Sequence, residues 1–377
     1  MKTFSIAVLA GDGIGPEVID QAIPAAERAA PLDDARFQWT PYPWNSDHYR
    51  RHGRMAAPDF LEQLRPHDAI LLGAIGHPDL PDHVTLNGLL LPIRRGFDQC
   101  VCIRPAYLYA GVLSPLVHPS QRGYPRSTPL GGEGSPAAAL GGWREGEIDI
   151  LVFRENVEGE YAQIGGRLYN GSDHEVAVQT ALFTRRGCRR IMRPAFEAAR
   201  KRRRKVTSIT KSNAQGYGMV LWDETFREVA RDYPDVQTES LLIDRACMDF
   251  VRRPQDFDVV VASNLFGDIL TDLAAILVGS MGLAPSANIN PERTAPSMFE
   301  PVHGSAPDIA GRGIANPLAA ILSAAMMMDH LELPKGAAAV RRAVADVLRS
   351  GAPRTPDLGG KATTAEVAGA VCELLDS

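Results

Sequence analysis

The sequence predicts an α/β protein, and three observations carry that reading. Short apolar runs alternate with longer helix-like stretches, several of those runs are apolar at nearly every position, and a glycine-rich turn joins the first run directly to a helix. Strands covered on both faces need no polar alternation, and alternating element types are the mark of α/β architecture. Phe4–Leu9 is the first strand, and Lys2 with Phe4–Ala10 is too weakly charged for a signal peptide. Ala69–Leu72, Ile148–Phe153, Lys205–Ile209 and Asp258–Ala262 are further strands. Helices are expected over Pro16–Ala30, Pro58–Gln63, Arg186–Lys201, Met219–Asp232, Asp268–Val278, Pro317–His330 and Ala337–Ser350. No repeat of solenoid length is present.

Composition sets the outer limits. A chain of 377 residues with 45% apolar and 23% charged residues has the material for two or three domains. Its net charge of −5 argues against a dedicated nucleic-acid binder. No apolar run approaches the ~18 residues of a membrane span. Five scattered cysteines without a CxxC fit a reducing cytoplasm better than a disulfide framework.

Between Pro119 and Gly142, 13 of 24 residues are Gly, Pro or Ser, so this stretch is expected to be a mobile surface loop. The basic run Arg200–Lys205 reads as the C-terminal end of a helix, where cations complement the dipole.

The local motifs narrow the chemistry. Gly11-Asp12-Gly13-Ile14-Gly15-Pro16 is not a GxGxxG dinucleotide fingerprint, because Pro16 stands at the third glycine position. It remains a tight strand-to-helix turn with proline in the first helical turn. Gly359-Gly360-Lys361 lacks the residues of a phosphate-binding loop, and neither HExxH nor GxSxG is present. Within DVVVASNLFGDILTDL, Asp268 and Asp272 stand four apart, so a helix puts both carboxylates on one face. Such a pair is either a solvated acidic face or a half-site for a hard cation, Mg²⁺ or Mn²⁺ rather than zinc. Arg94, Arg104 and Arg154 lie near strand or helix ends, and arginine's planar fork suits carboxylates.

Taken together, AGDGIGPEV (10–18), FDQCVCIRP (97–105), FRENVEGEY (153–161), TKSNA (210–214), SNLFGDILTD (263–272) and EPVHGSAPDIAGRGIANP (300–317) resemble the β-decarboxylating dehydrogenase family of isocitrate and isopropylmalate dehydrogenases. DHVTL, HEVAVQTALFTRRG and NINPERTAPSMFEPVHG are most similar to its branch acting on tartrate and D-malate.

The resemblance implies an isopropylmalate dehydrogenase-like two-domain fold with a mixed central sheet. A discontinuous large domain would comprise residues 1–101 and 280–377 and carry most of the NAD site. Residues 102–279 would form the second domain, with the dimer contact and metal residues.

It also implies roles for individual residues. Arg94, Arg104 and Arg154 would grip the substrate carboxylates. Asp268 and Asp272 would bind Mg²⁺ or Mn²⁺, with Asp244 completing the metal and substrate site from the other subunit of a homodimer. Lys211, also from that subunit, would be the base for the substrate hydroxyl, and Tyr161 the acid that protonates carbon. Gly304, Ser305, Ala306, Pro307, Asp308 and Asn316 would line the coenzyme, Asp308 favouring NAD because a 2′-phosphate would meet a like charge.

The implied activity is oxidation, with decarboxylation, of a small 2-hydroxy dicarboxylate. Two departures lie in the specificity segment: Asn87 stands where relatives commonly carry tryptophan, and Pro92 enters the helix presenting Arg94. Leu90 and Leu91 keep 3-isopropylmalate open as a substrate, and a catalytically silent regulatory homologue is the other alternative.

Overall fold

A computed structural model describes residues 1–116 and 142–377. The expected loop over 119–142 lies outside the described residues except for Gly142.

The chain opens with β1 (Lys2–Gly11), α1 (Gly15–Ala29), β2 (Ala35–Pro41), α2 (Ser46–His52), α3 (Phe60–Leu64) and β3 (Ala69–Ala74). Pro16 sits in the first turn of α1, where its missing N–H costs nothing. Val18, Ile19, Ala22, Ala25, Ala26 and Ala29 then face inward at helical spacing. Next come α4 (Asp82–Thr85), one π-helical turn over Leu86–Leu90, and α5 (Leu91–Gly96). Pro92 falls at the start of α5, where its missing N–H is tolerated, so the helix that carries Arg94 is kept.

The middle of the chain supplies β4 (Val101–Tyr107), β5 (Asp149–Glu155), β6 (Gly165–Leu168), β7 (Val176–Gln179), α6 (Arg185–Arg200) and β8 (Lys205–Thr210). It continues through α7 (Gly218–Ala230), β9 (Gln237–Leu242), α8 (Ile243–Arg252), β10 (Val259–Ala262) and α9 (Asn264–Leu277). The chain ends with β11 (Pro285–Ile289), β12 (Ser297–Pro301), α10 (Leu318–His330), α11 (Pro334–Ser350) and α12 (Thr364–Asp376). Helix α12 begins in a reciprocal capping box between Thr363 and Glu366.

Ten strands form one sheet in the order β2-β1-β3-β12-β11-β4-β5-β10-β8-β9. Both flanks are parallel, and the centre, β12-β11-β4-β5, is antiparallel. Apolar packing follows the same division. One core joins β1 and β3 to α1, α10, α11 and α12, and a second covers the opposite face of that flank through α2, α3 and α5. A third is built from residues between Cys100 and Val278. The hairpin β6–β7 stands outside all three, every residue exposed.

The expected helix over Asp268–Val278 starts four residues earlier, at Asn264. One of its first-turn donors, the Leu265 N–H, is satisfied by a group distant in sequence, the Glu160 carboxylate. The run Arg200–Lys205 is engaged within the chain: Arg200 with Asp235, Arg202 with Asp149 and Asp258, and Lys205 with Glu239. All five cysteines are free. Among the described residues, no helix is long and apolar enough to cross a membrane.

Candidate active site

A cavity of about 310 Å³ opens where β3, the central strands and α9 come together. Its walls come from the end of β3, the turn beyond Leu86, β4, β5, α9 and the loop after β12. Arg154 on β5 pairs in register with Cys102 on β4, two residues from Arg104, so both arginines leave the same face of the sheet. Arg94 reaches the same cavity from α5.

All three guanidinium groups are buried. A buried cation needs partners, and the chain supplies carboxylates and amides. Arg94 donates to Glu300 Oε1 at 2.7 Å, and Asn288 Nδ2 donates to the same oxygen at 2.8 Å. Arg104 Nη1 donates to Asp268 Oδ1 at 3.0 Å and to Thr271 Oγ1 at 2.7 Å. Arg154 donates Nε and Nη2 to Asn264 Oδ1 and Nη1 to Asp268 Oδ1. Helix α9 approaches this closely because position 267 is glycine: a Cβ there would stand 2.7 Å from the Arg154 Cβ. The Nε groups of Arg94 and Arg104 remain buried without an acceptor. Such donors are costly unless a ligand meets them.

Asp268 and Asp272 do share one face of α9, and both line the cavity. Burial alone would raise the Asp268 carboxyl, but Arg154 and Arg104 outweigh it and hold the group at about 2. Burial, followed by the Asp268 charge, pushes Asp272 up. Tyr161 donates its hydroxyl to Asp268 Oδ2 at 2.8 Å, and burial with that neighbouring charge moves the phenol to about 12. The tyrosine is therefore a neutral proton donor at ordinary pH.

Lys211 and Asp244 lie elsewhere. Lys211 follows β8, Asp244 sits in the first turn of α8, and Nζ donates to Oδ1 at 2.6 Å. Asp244 is 60% exposed, and neither residue lines the cavity. No group of three metal-ligating side chains occurs among the described residues, so one chain presents two of the three expected carboxylates.

The loop after β12 carries the expected coenzyme residues. Gly304 lines the cavity, and a Cβ there would meet nothing within 4 Å. Ser305 O accepts from the Ile14 N–H at 2.8 Å. Gly13, at φ +56°, permits that crossing, since its Cβ would stand 2.0 Å from the same oxygen. The glycine turn thus supports the loop. Ala306 also has a left-handed φ, while Pro307 and Asp308 are exposed. Asn316 is buried, donating to Asp357 Oδ2 at 2.9 Å and accepting from the Leu318 N–H.

Sequence reasoning missed Glu300, Asn264 and Asn288. The first had a signal, being the one acid in the apolar strand SMFEP; Asn264 and Asn288 matter only through contacts distant in sequence.

The family model described as isocitrate/isopropylmalate dehydrogenase matches residues 5–122 and 139–371. The chain is 46% identical to a "Probable tartrate dehydrogenase/decarboxylase" of Bacillus subtilis, covering 100% of this chain and 99% of that protein. It is also 46% identical, with the same coverage, to "D-malate dehydrogenase [decarboxylating]" of Escherichia coli. The crystal structure of isocitrate dehydrogenase from Methylococcus capsulatus superposes with a TM-score of 0.83 at 33% identity, covering 99% of this chain and 100% of that one.

Proposed function

The chain belongs to the isocitrate/isopropylmalate dehydrogenase family, and on that premise we propose that it is an NAD- and Mg²⁺/Mn²⁺-dependent dehydrogenase of tartrate or D-malate that also decarboxylates the oxidised D-malate. The observation that carries this reading is the cavity with three buried arginines, two of them holding a free Nε donor. Their charges face Asp268, Asp272 and Glu300, so the cavity is close to neutral. A dicarboxylate entering with a divalent cation keeps it so.

Asp268 and Asp272 fit a hard cation: two oxygen donors on one helical face, one held ionised and the other opposed by its neighbour's charge. Asp244 of a second copy would supply the third carboxylate. When bound, the cation supplies Lewis acidity toward the substrate hydroxyl and the charge that develops on decarboxylation.

The chain's own groups account for the remaining work. The arginines would fix the two carboxylates, and the loop from Gly304 to Asp308 would hold NAD, which supplies the acceptor for the hydride from C2. Lys211 of a second copy takes the hydroxyl proton as hydride leaves C2. After CO₂ departs from C3, Tyr161 gives its proton to that carbon.

A second copy is supported by unpartnered apolar surface on the elements that carry these residues. Met248 and Val251 on α8 and Ile269 and Ile276 on α9 are each more than 40% exposed. We place the domain division at residues 1–101 with 280–377 against 102–279, in keeping with the separation of the cores.

The deciding experiment is NADH formation by pure protein on D-malate, tartrate and 3-isopropylmalate, with and without Mn²⁺. Turnover of the first two is expected. Exclusive turnover of 3-isopropylmalate would transfer the activity to that acid, since Leu86, Leu90 and Leu91 also line the cavity. Silence on all three would favour a regulatory homologue.

A further inference from the structure

Helix α9 carries both candidate metal carboxylates, yet its N-cap Ser263 makes no side-chain cap bond to the helix. One first-turn donor, the Leu265 N–H, is met by another segment. Glu160 Oε2 accepts from the Leu265 N–H at 3.1 Å, and Oε1 accepts from Ser263 Oγ at 2.8 Å. An anion at a helix N-terminus is favoured by both the free N–H groups and the dipole.

The neighbouring contacts give this cap a consequence beyond stability. Asn264 Nδ2 donates to Glu158 O at 3.1 Å, and Tyr161, the residue after Glu160, donates to Asp268 one turn farther along the same helix. The segment 158–161 is thus joined to the N-cap and first turns of α9 by four hydrogen bonds, two of them to Glu160.

We propose that Glu160 is a positioning residue: by clamping the start of α9 through Ser263 and Leu265, it sets the Tyr161 hydroxyl at the carbon that must be protonated after decarboxylation. This rests on the activity proposed above and deepens it. Proton delivery by Tyr161 is required only when CO₂ has left, whereas oxidation of C2 requires the arginines and Lys211. Loss of the clamp therefore falls unevenly on the two substrates.

The test compares Glu160→Ala and Glu160→Gln with wild type on D-malate and tartrate, and reads the environment of Tyr161 by fluorine NMR of fluorotyrosine-labelled protein. In Glu160→Ala, D-malate turnover is expected to fall about tenfold to a hundredfold, the scale of a misplaced catalytic group. The fall on tartrate should be smaller, and the Tyr161 resonance should move. Glu160→Gln retains one acceptor oxygen and should recover most of the loss. An equal fall on both acids would reduce Glu160 to a plain helix cap and overturn the proposal. An unmoved Tyr161 resonance in Glu160→Ala would overturn it whatever the acids do. Wild type inactive on every acid would instead defeat the proposed activity, and the resonance would still judge the clamp.

Discussion

The two groups of expected active-site residues are built in opposite ways. Around Asp268, three buried arginines, Glu300, Asn264 and Tyr161 form an enclosed network with few free donors. Lys211 and Asp244 form an open pair, bonded to each other. Low dielectric makes the enclosed charges strongly dependent on their partners, whereas an exposed pair gains little from its ion pair. An exposed pair that adds little stability, with Asp244 on a helix that also bares Met248 and Val251, suits the second-copy half-site proposed above.

Mixing two inactive variants tests this contrast most directly. Lys211→Ala alone should lower turnover by about a hundredfold to ten-thousandfold, the range for loss of a general base, with NAD affinity nearly unchanged. Asp272→Asn should be inactive through the other half-site. If the halves meet across a two-fold interface, refolding the variants together yields mixed dimers with one intact site, restoring about a quarter of wild-type turnover. No recovery in the mixture would place both halves in one chain.

Stability separates the regions next. Glu300→Ala leaves Arg94 buried without its carboxylate and should cost about 3–5 kcal/mol in urea unfolding. Asp244→Asn should shift the same midpoint much less, since Asp244 is already in water. Equal losses would erase the distinction between an enclosed and an open group.

The enclosed side should also carry a pH signature. Burial raises the Glu155 carboxyl from 4.5 to about 7, against the opposing pull of the Val157 and Glu158 N–H groups. The folded chain then holds a proton that the unfolded chain releases. That contribution is complete below pH 4.5 and is lost as pH rises through about 7. Glu155→Gln should therefore flatten the fall in stability between about pH 4.5 and pH 7, by up to about 3 kcal/mol. Identical urea midpoint profiles for variant and wild type would remove the effect.

The smallest expected effect lies on the exposed coenzyme loop. Asp308→Lys should move the NAD to NADP preference by about tenfold, the scale of reversing one exposed charge beside a phosphate. An unmoved ratio would detach Asp308 from the ribose.

Much of this arrangement was legible in the chain. The five expected strands and the long helices appear near their expected bounds, because apolar runs and helical spacing report burial directly. Other elements were not legible: β2 has four of seven residues outside the apolar class and β9 has four of six, so neither looks like a buried strand. β11 and β12 pair locally, but β11 reached β4 and β12 reached β3 only through pairing across long sequence separations. The candidate site divided similarly. Asp268, Asp272 and the arginines stood out by residue type and spacing, whereas Asn264 and Glu160 acquired their roles only when β5 and α9 met.

The sequence by itself determined the element types, the i,i+4 carboxylates and the family motifs, because local periodicity and residue chemistry act over a few positions. The tertiary structure decided which partner each buried charge has and which charges remain in water, because those outcomes depend on segments separated by a hundred residues or more: Arg154 on Asn264, Arg94 on Glu300, and Asp244 left at the surface.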